Sequence, residues 1–407
     1  MLLLHIPFVH ASLLSFNGTS ISALDASESP SCGDTRSLSD IIWSCAATLF
    51  ACTWTAIHPN IPGMEEEKWT VFSRRLGIMI MALIAPELII TWATLQFLSA
   101  QWTVTHGFFA WMGGFMLYVN GEPLAPLRPD ELLSYVDYGS VDVPVIVEAD
   151  IEDRSKGDAL SKGIAVLQLA WFILQLAARY FQDLPMTLLE IDTLAVAALT
   201  SIAYGFWWKK PKDVGRPYAV HWKATYAPSR EAYNAEDEDF SNKNWLYYLV
   251  CLFKPFLSLA GISEGISPRA NRERRVPILG GYDDNFLESR NHVITLFFGC
   301  FSGMVFGAIH CLGWNFLFQG HAEQILWRAA SLAIISAPLS ILLLFSYVVW
   351  LTDWKKMGSS VVLAVSVNFF IYFVARVILI VLLLMSLRSL PPGVYDVVAW
   401  TKFFPHF

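Results

Sequence analysis

Two charged residues lie in the middle of long apolar runs of the sequence. Glu87 follows Pro86 at the centre of the run 76–98, and Arg376 lies near the centre of the run 361–387. A charge at the middle of a bilayer costs at least about 2.5–3.5 kcal/mol on insertion scales, so both residues are candidates for catalysis. We expect Pro86 to kink its helix and open a pocket beside the Glu87 carboxylate. In the structural alternative, Glu87 and Arg376 neutralise each other inside the bundle.

Two further residues are candidates for acid–base chemistry. His310, in the last third of the run 293–316, is expected to act as a general base or proton relay. Its alternative is a buried histidine bonded to a neighbour. Glu190 lies in the first turn of the run 187–208, where capping of the helix N-terminus is the alternative to catalysis. The residues expected to contact a substrate are Asn368, Trp314 and His106.

Three clustered acidic residues could hold a metal ion. Asp283 and Asp284 are adjacent, and Glu288 follows about one helical turn later. Carboxylate oxygens of this kind bind Mg²⁺ and, through it, a diphosphate. The spacing resembles the acidic motif of isoprenoid-processing enzymes, although the preceding Gly280-Gly281 also suits a loop. The cluster makes Mg²⁺ the one cofactor that the sequence suggests.

The distribution of apolar residues predicts a membrane protein. Hydrophobic residues form 55% of the chain and charged residues only 15%, against about 25% charged residues in ordinary soluble domains. This composition excludes a disordered chain. The basic residues cluster in one loop and form no stripe interleaved with aromatic residues, so the sequence does not indicate nucleic-acid binding. Seven apolar runs are each close to the roughly 20 residues that cross a bilayer. These runs are 40–58, 76–98, 163–181, 187–208, 293–316, 328–350 and 361–387.

Basic residues predict the orientation of these helices. The loop 209–291 holds 13 Lys and Arg residues, and Lys355 and Lys356 lie between the last two runs. The positive-inside rule places both segments, and also Arg74 and Arg75, in the cytoplasm. All of them agree only if a short eighth run, 104–119, also crosses the membrane, whereas its length and Gly113-Gly114 also suit a re-entrant piece or a pair of strands. We therefore expect eight spans with both termini outside, or seven if 104–119 does not cross.

The polar segments between the runs complete the predicted organisation. Residues 120–160 form a small acidic insert, with a turn at Asn120-Gly121, a helix start at Pro129 and a strand-like stretch at 143–148. Asn17 begins a glycosylation sequon in a signal-like segment. The predicted fold is an all-α membrane bundle. Its predicted parts are a signal-like N-terminal segment (1–38), the first membrane helices (39–119), the acidic insert (120–160) and a membrane hairpin (161–208). A basic cytoplasmic loop with an interfacial helix at 245–262 (209–291), three C-terminal membrane helices (292–387) and an amphipathic tail (388–407) follow.

Several motifs resemble one group of proteins. The clearest are FACTWTAIHPNIP at 50–62, WWKKP at 207–211, FGAIHCLGW at 306–314 and LRSLPPGVY at 387–395. The chain is similar to a large group of predicted multi-span membrane proteins of filamentous fungi, mushrooms especially. The resemblance runs from about residue 32 to the C-terminus. It implies a fungal source and a multi-span architecture, and it transfers no catalytic residue.

Three functions remain open. The first is a membrane-embedded enzyme that acts on a lipophilic, isoprenoid-like substrate by intramembrane acid–base chemistry. The second is a transporter or channel for ions or small solutes, if the intramembrane polar residues face one path. The third is a sensor or scaffold that uses its polar loops for docking. The expected partners are membrane lipids and a lipophilic small molecule. The expected location is an endomembrane or the plasma membrane, with the N-terminus lumenal or extracellular.

Overall fold

The computed structural model describes most of the chain. The described residues are 35–64, 66–100, 103–155, 159–226, 228, 276, 290–316, 318–351 and 359–399. They are mostly helical, as predicted, but they also form a small sheet, so the all-α class is wrong in that respect. The predicted sites at Asn17, Asp283, Asp284 and Glu288, and the predicted interfacial helix at 245–262, lie outside the described residues.

The first helix, α1, spans Leu38–Phe50 and continues as a π-helix over Ala51–Thr55. It begins with a capping box, in which Ser37 accepts a hydrogen bond from the Asp40 backbone while the Asp40 carboxylate accepts one from the Ser37 backbone. π-Helical turns are rare and often lie at functional sites. The helical stretch matches the predicted run 40–58 to within a few residues.

The predicted run 76–98 is not one span, because two helices meet inside it. Helix α2 spans Lys68–Ile84 and α3 spans Pro86–Ser99, with an angle of 113° between them. Pro86 lacks a backbone N–H and occupies the first position of α3, where that donor is not needed. The predicted effect of Pro86 is therefore present, but as a complete break rather than a kink.

Residues 104–119 do not cross a membrane as a helix. They form α4, Val104–Trp111, and then the strand β1, Phe115–Val119. An eight-residue helix is only about 12 Å long, which is too short to cross the roughly 30 Å hydrocarbon core. The interpretation of this run as an eighth span is wrong.

The insert that follows is a small mixed sheet with short helices. The strands β2, Glu122–Pro126, and β3, Tyr218–His221, flank β1 in the order β2-β1-β3, with β2 antiparallel and β3 parallel to it. The predicted turn is confirmed, since Asn120 (φ 51°) and Gly121 (φ 85°) both adopt the left-handed conformation.

Two helices complete the insert. They are α5, Pro129–Asp137, and α6, Glu148–Arg154, and α5 begins at the predicted position. The stretch 143–148 is not the predicted strand, because it has no strand partner within the described chain and α6 begins at its end. The sheet and these helices share an apolar core that includes Phe109, Phe115, Leu117, Leu127 and Ile151.

Five helices are long and apolar enough to cross a membrane. They are α7, Ala159–Phe181; α8, Leu188–Phe206; α9, Arg290–His310; α10, His321–Leu351; and α11, Ser359–Ser386. The pair α2–α3 would be a sixth if it formed one span. The predicted seven or eight spans exceed this number among the described residues. Helix α9 packs against α3, α8 and α10, and α10 packs against α11.

Hydrogen bonds identify the two ends of the bundle. At one end, which we call the insert end, Lys212 Nζ donates to the Thr55 carbonyl at 2.7 Å, and the Lys212 backbone donates to Ser155 Oγ at 2.9 Å. At the other, the tail end, Arg179 donates to the carbonyls of Pro185 and Asp396, each at 2.7 Å. The insert end therefore gathers the end of the π-helix, the chain before α7 and the chain after α8.

Helices α2 and α3 both reach the insert end. Arg75, in α2, donates to Asp213 at 2.9 Å, and Gln96, near the end of α3, accepts from Lys210 at 2.9 Å. Asp213 and Lys210 both lie in the segment that follows α8. The pair thus enters the bundle from the insert end, turns at Ala85-Pro86 and returns to the same end, as a re-entrant loop does.

Three glycines on α9 allow close helix packing. Gly299, Gly303 and Gly307 repeat every four residues and lie against Thr91, Pro338 and Ile335 of neighbouring helices. A Cβ at Gly307 would lie 2.7 Å from Ile335 Cγ1. Small residues at this spacing let helix backbones approach closely in membrane proteins.

Candidate functional site

The break between α2 and α3 lies beside Arg376 of α11. Arg376 Nε donates to the Ile84 carbonyl at 2.9 Å, and Nη2 donates to the carbonyls of Leu83 (3.4 Å) and Ile84. These carbonyls end α2 and have no partner within the helix. A cation at a helix C-terminus also matches the negative end of the helix dipole. The guanidinium is therefore held by the end of α2.

Glu87 lies on the other side of the same break, in the first turn of α3. Its side chain is buried, with the residue 7% exposed. A carboxylate in this position matches the positive end of the α3 dipole. Glu87 and Arg376 are close enough to interact electrostatically, but no direct ion pair joins these two residues, both of which the structure describes. The structure brings the predicted pair to the same break in the helices, so both the catalytic interpretation and the structural alternative stay predictions.

Tyr372 is the third polar group at the break. It precedes Arg376 by one turn of α11, and its hydroxyl neighbours the Glu87 carboxyl. Within the described part of the chain, neither this hydroxyl nor Glu87 Oε2 makes a hydrogen bond of good geometry. Buried polar atoms without hydrogen-bond partners are rare in proteins, and each one needs a physical explanation. We call Glu87, Tyr372 and Arg376 the break site.

His310 lies in a second polar centre, nearer the tail end. Its Nδ1 is 2.8 Å from the Phe306 carbonyl, and its Nε2 is 3.3 Å from Asp192 Oδ1. A carbonyl can only accept, so Nδ1 carries a proton. The contact between Nε2 and Asp192 joins the end of α9 to the N-terminal part of α8.

Phe306 separates the two centres. Arg376 lies over one side of the ring, with its central carbon 3.8 Å from the ring centroid. The His310 ring is also packed against it, with 4.3 Å between the two centroids. Two predicted site residues, Arg376 and His310, thus pack against one fully buried aromatic side chain.

A buried lysine near the insert end was not among the predicted site residues. Lys210 Nζ donates to the His58 carbonyl (2.6 Å), to Gln96 Oε1 (2.9 Å) and to Asn60 Oδ1 (3.2 Å). The indoles of Trp92 and Trp207 each have their centroid 5.1 Å from the same nitrogen. Burial lowers the pKa of Lys210 well below its ordinary value. The sequence signal is the motif WWKKP at 207–211. Its lysines are among the basic residues of the predicted cytoplasmic loop 209–291.

His58 packs beside this lysine and is fully buried. Its Nδ1 is 2.7 Å from the Ala56 carbonyl, and its ring lies against Tyr204 and Trp207. Burial lowers the pKa of His58 well below its ordinary value, and the positive charges of Lys212 and Lys210 act in the same direction. The imidazole is therefore neutral at physiological pH.

A cavity of about 140 Å³ lies next to this lysine. It is bounded by the segments 59–62 and 213–215 and by the second turn of α2, which contributes Arg74 and Arg75. A second, smaller cavity of about 30 Å³ lies between α7, α8 and the π-helix. Neither of these two cavities, both lined by described residues, is lined by Glu87.

The chain matches one protein family. A family of unknown function, DUF8562, matches residues 13–105 and 99–227, and together these matches cover more than half of the 407 residues. The chain belongs to the DUF8562 family. No curated protein and no solved structure matches the chain.

The DUF8562 match ends before α9. It includes Glu87, Lys210 and every segment that bounds the larger cavity. Arg376 and His310 lie on helices that follow the matched residues. The break site is thus shared between the DUF8562 segment and the last three helices.

Other predicted residues of this DUF8562 protein have structural contacts. Glu190 forms a capping box with Thr187, as in the capping alternative. Its carboxylate also accepts hydrogen bonds from both terminal nitrogens of Arg36, at 2.6 and 3.2 Å. Asn368, one turn before Tyr372, hydrogen-bonds the Ser340 hydroxyl on α10. Asn368 is therefore near the break site, while Glu190 is at the tail end.

Two more predicted residues lie apart from the break site. Thr103 caps the start of α4 by accepting a hydrogen bond from the His106 backbone, and His106 Nε2 lies 2.9 Å from the Ile146 carbonyl, within the insert. The Trp314 carbonyl accepts from Arg328 at 2.9 Å. Among the described residues, no group of three or more His, Cys, Asp or Glu side chains could hold a metal ion.

Proposed function

We propose that this protein is a multi-pass membrane transporter that moves protons, alone or coupled to a small solute, through Glu87. The observation that carries the proposal is the break site at the tip of the α2–α3 pair. Irregular backbone is tolerated at membrane depth where it is buried in protein or lines a transport path. Broken helices of this kind form the ion and substrate sites of many transporters.

Glu87 has the surroundings of a group that both binds and releases a proton. The N-terminus of α3 and the nearby Arg376 favour the ionised carboxylate. The apolar core around it favours the neutral acid. The Glu87 carboxyl and the neighbouring Tyr372 hydroxyl give the proton a donor and an acceptor at one place.

The His310–Asp192 pair supplies a second proton position. Asp192 is partly exposed, with a side-chain exposure of 20%, whereas the His310 side chain is fully buried. The pair lies between the break site and the tail end, so it connects the protein interior with that surface. Phe306 prevents a direct hydrogen bond between the two positions, and transfer then needs a movement of α9 or an entering water molecule.

The proposed topology follows from the same geometry. If α1 with its π-helix crosses once and α2–α3 is re-entrant, there are six crossings with α7–α11. Arg74, Arg75 and the chain after α8 then lie at one face without any crossing by 104–119. The positive-inside rule makes that face cytoplasmic and puts both termini on the other side. A glycosylated Asn17, an endomembrane or plasma-membrane location and a fungal source are parts of this proposal.

Proton flux into liposomes tests the function. The full chain is reconstituted with a trapped pH dye, and a potassium gradient with valinomycin sets the voltage. We expect wild-type vesicles to change internal pH faster than protein-free vesicles. Glu87→Gln keeps the size of the side chain but removes its ionisation, so its flux should fall to the protein-free level.

The control is Glu122→Gln, which changes an exposed carboxylate in β2. This variant should keep the wild-type flux, while Asp192→Asn should lower it. The proposal is contradicted if wild type and Glu87→Gln give equal flux, or if neither exceeds protein-free vesicles.

Acid–base catalysis on a lipophilic substrate is a second candidate function. The favouring observation is that Glu87 is a buried acid whose chain neighbours Leu88 and Ile89 belong to the apolar cluster that contains Phe306. Mass spectrometry of lipid extracts from yeast expressing the wild type or Glu87→Gln tests this. A product that vanishes with the variant, without proton flux, would favour the enzyme. Absence of both flux and product would favour a scaffold.

A further inference from the structure

The larger cavity has room for a small ligand. Its volume of about 140 Å³ is close to that of an engineered protein cavity of about 150 Å³ that binds benzene. It lies between the second turn of α2 and the segments 59–62 and 213–215. These segments belong to the insert end, so the cavity is separate from the break site.

Arg74 lines this cavity, and its ion pair uses only one of its guanidinium nitrogens. The side chain is only 10% exposed, and its Nη1 donates to both carboxylate oxygens of Glu66, at 2.7 and 2.8 Å. Its Nε and Nη2 make no hydrogen bond to any described residue. These two nitrogens form one edge of the planar guanidinium, and such an edge matches two oxygens of a carboxylate or phosphate.

Arg75 adds a fixed positive charge beside Arg74. It donates to both oxygens of Asp213 (2.9 and 3.1 Å) and to the Trp54 carbonyl (2.9 Å). Its central carbon also lies 4.3 Å from the centroid of the Trp54 ring. The ionisable residues that line the cavity are two arginines and one aspartate, and Glu66 adds a second carboxylate through its ion pair with Arg74.

We propose that this cavity binds a small oxyanion, a carboxylate or a phosphate, through the free Nε–Nη2 edge of Arg74. The apolar remainder of the wall, which includes Pro62 and Val71, limits the ligand to a compact molecule or group. Binding of this anion is independent of proton movement at Glu87, and it gives the insert end a ligand of its own.

Thermal unfolding of the purified full chain tests the proposal. Sodium phosphate and sodium malonate are titrated separately, with sodium chloride keeping the ionic strength constant. We expect at least one of them to raise the melting temperature in a saturable way, because a ligand that binds only the folded state stabilises it. A response to phosphate alone identifies a phosphate site, and a response to malonate alone identifies a carboxylate site.

Two variants and one control make the result specific. Arg74→Lys keeps the charge but loses the two-nitrogen edge, so half-saturation should need at least about tenfold more anion. Val71→Phe fills the cavity without breaking an ion pair and should remove the response. Lys68→Gln, at the exposed start of α2, should respond as the wild type does. The proposal is overturned if neither anion gives a saturable shift, or if Arg74→Lys and Val71→Phe both respond like the wild type.

Discussion

Two adjacent lysines show how strongly position decides the role of a residue. Lys209 has a side chain that is 55% exposed, and it pairs with Glu148 at 3.4 Å. Lys210 is buried, and three oxygen atoms surround its amine at 2.6 to 3.2 Å. Three acceptors match the three donors of an ammonium group. Lys210 therefore joins α3, the segment after the π-helix and the end of α8.

Replacing Lys210 by methionine should destabilise the protein. The variant keeps an unbranched side chain but leaves the oxygens of His58, Asn60 and Gln96 without their shared donor. We expect a loss on the order of 2 kcal/mol in the free energy of unfolding, because the His58 carbonyl loses this donor. Asn60 Oδ1 still accepts from Gln96, and Gln96 Oε1 still accepts from Trp207. Thermal unfolding in detergent measures the change.

Lys209→Met is the matched control for this prediction. An exposed ion pair contributes about 0–1 kcal/mol, so the control should unfold close to the wild-type temperature. Equal losses in the two variants would show that Lys210 has no special structural role.

At this scale, a charged residue can be predicted to matter from the sequence when it lies within an apolar run. Glu87 and Arg376 are conspicuous because they interrupt membrane-length runs. Lys210 is not conspicuous, because a lysine in a basic loop is ordinarily solvated. Its partners Asn60 and Gln96 come from distant parts of the chain, and only the tertiary structure brings them together.

At the scale of elements, the glycines of α9 fix the distances between helices. Gly307 lies against α10, where an added methyl group would be 2.7 Å from Ile335 Cγ1 and 3.1 Å from the Ile335 backbone nitrogen. Gly163, on α7, has no atom within 4 Å of the same position. The two glycines therefore form a matched pair with opposite surroundings.

Gly307→Ala should lower the melting temperature, and Gly163→Ala should keep or raise it. Overpacking of a close contact costs about 1–3 kcal/mol, which exceeds the helix propensity that alanine gains. At Gly163 there is no close contact, so the only expected effect is the gain in helix propensity, which stabilises the fold by up to about 1 kcal/mol. Thermal unfolding of both variants provides the measurement. Similar shifts in the two variants would argue against close packing at α9.

The elements themselves were predictable where an apolar run was long. The helices α7 to α11 follow runs of membrane length, and the break at Pro86 follows from its missing donor. The run 104–119 was ambiguous, because a short apolar stretch suits either a helix or a strand. Gly113 decides the outcome, since its positive φ of 86° ends α4 before β1 begins. The 113° angle at the break depends on tertiary contacts that no local pattern encodes.

At the scale of the whole molecule, the re-entrant pair accounts for the basic residues without an eighth span. Three exposed positions distinguish the arrangements: Lys68 at the start of α2, Val104 at the start of α4, and Tyr138 in the insert. A re-entrant pair places all three on one side of the membrane. Eight spans would place Val104 opposite the other two, and a single crossing by α2–α3 would place Lys68 opposite the other two.

Cysteine labelling in sealed vesicles measures these sides. Each position is changed to cysteine in a chain whose six native cysteines are replaced, and a membrane-impermeant reagent is applied. We expect all three variants to react from the same side. A cysteine at Asp183, in the turn between α7 and α8, should react from the other side. Reaction of the Val104 variant from the side opposite to Tyr138 would contradict the re-entrant arrangement.

In the proposed topology, the depth of the break site would make the protonation of Glu87 sensitive to membrane voltage. Ile84 follows Arg75 by nine residues, so α2 carries the tip about 14 Å inward from the insert end, near half of a 30 Å core. A unit charge that crosses the full field at 100 mV gains or loses about 2.3 kcal/mol. A proton that reaches Glu87 from either face crosses about half of that field. Polarising the membrane by 100 mV would then change the equilibrium protonation of Glu87 about sevenfold, so the carboxyl would report the electrical state of the membrane as well as its pH.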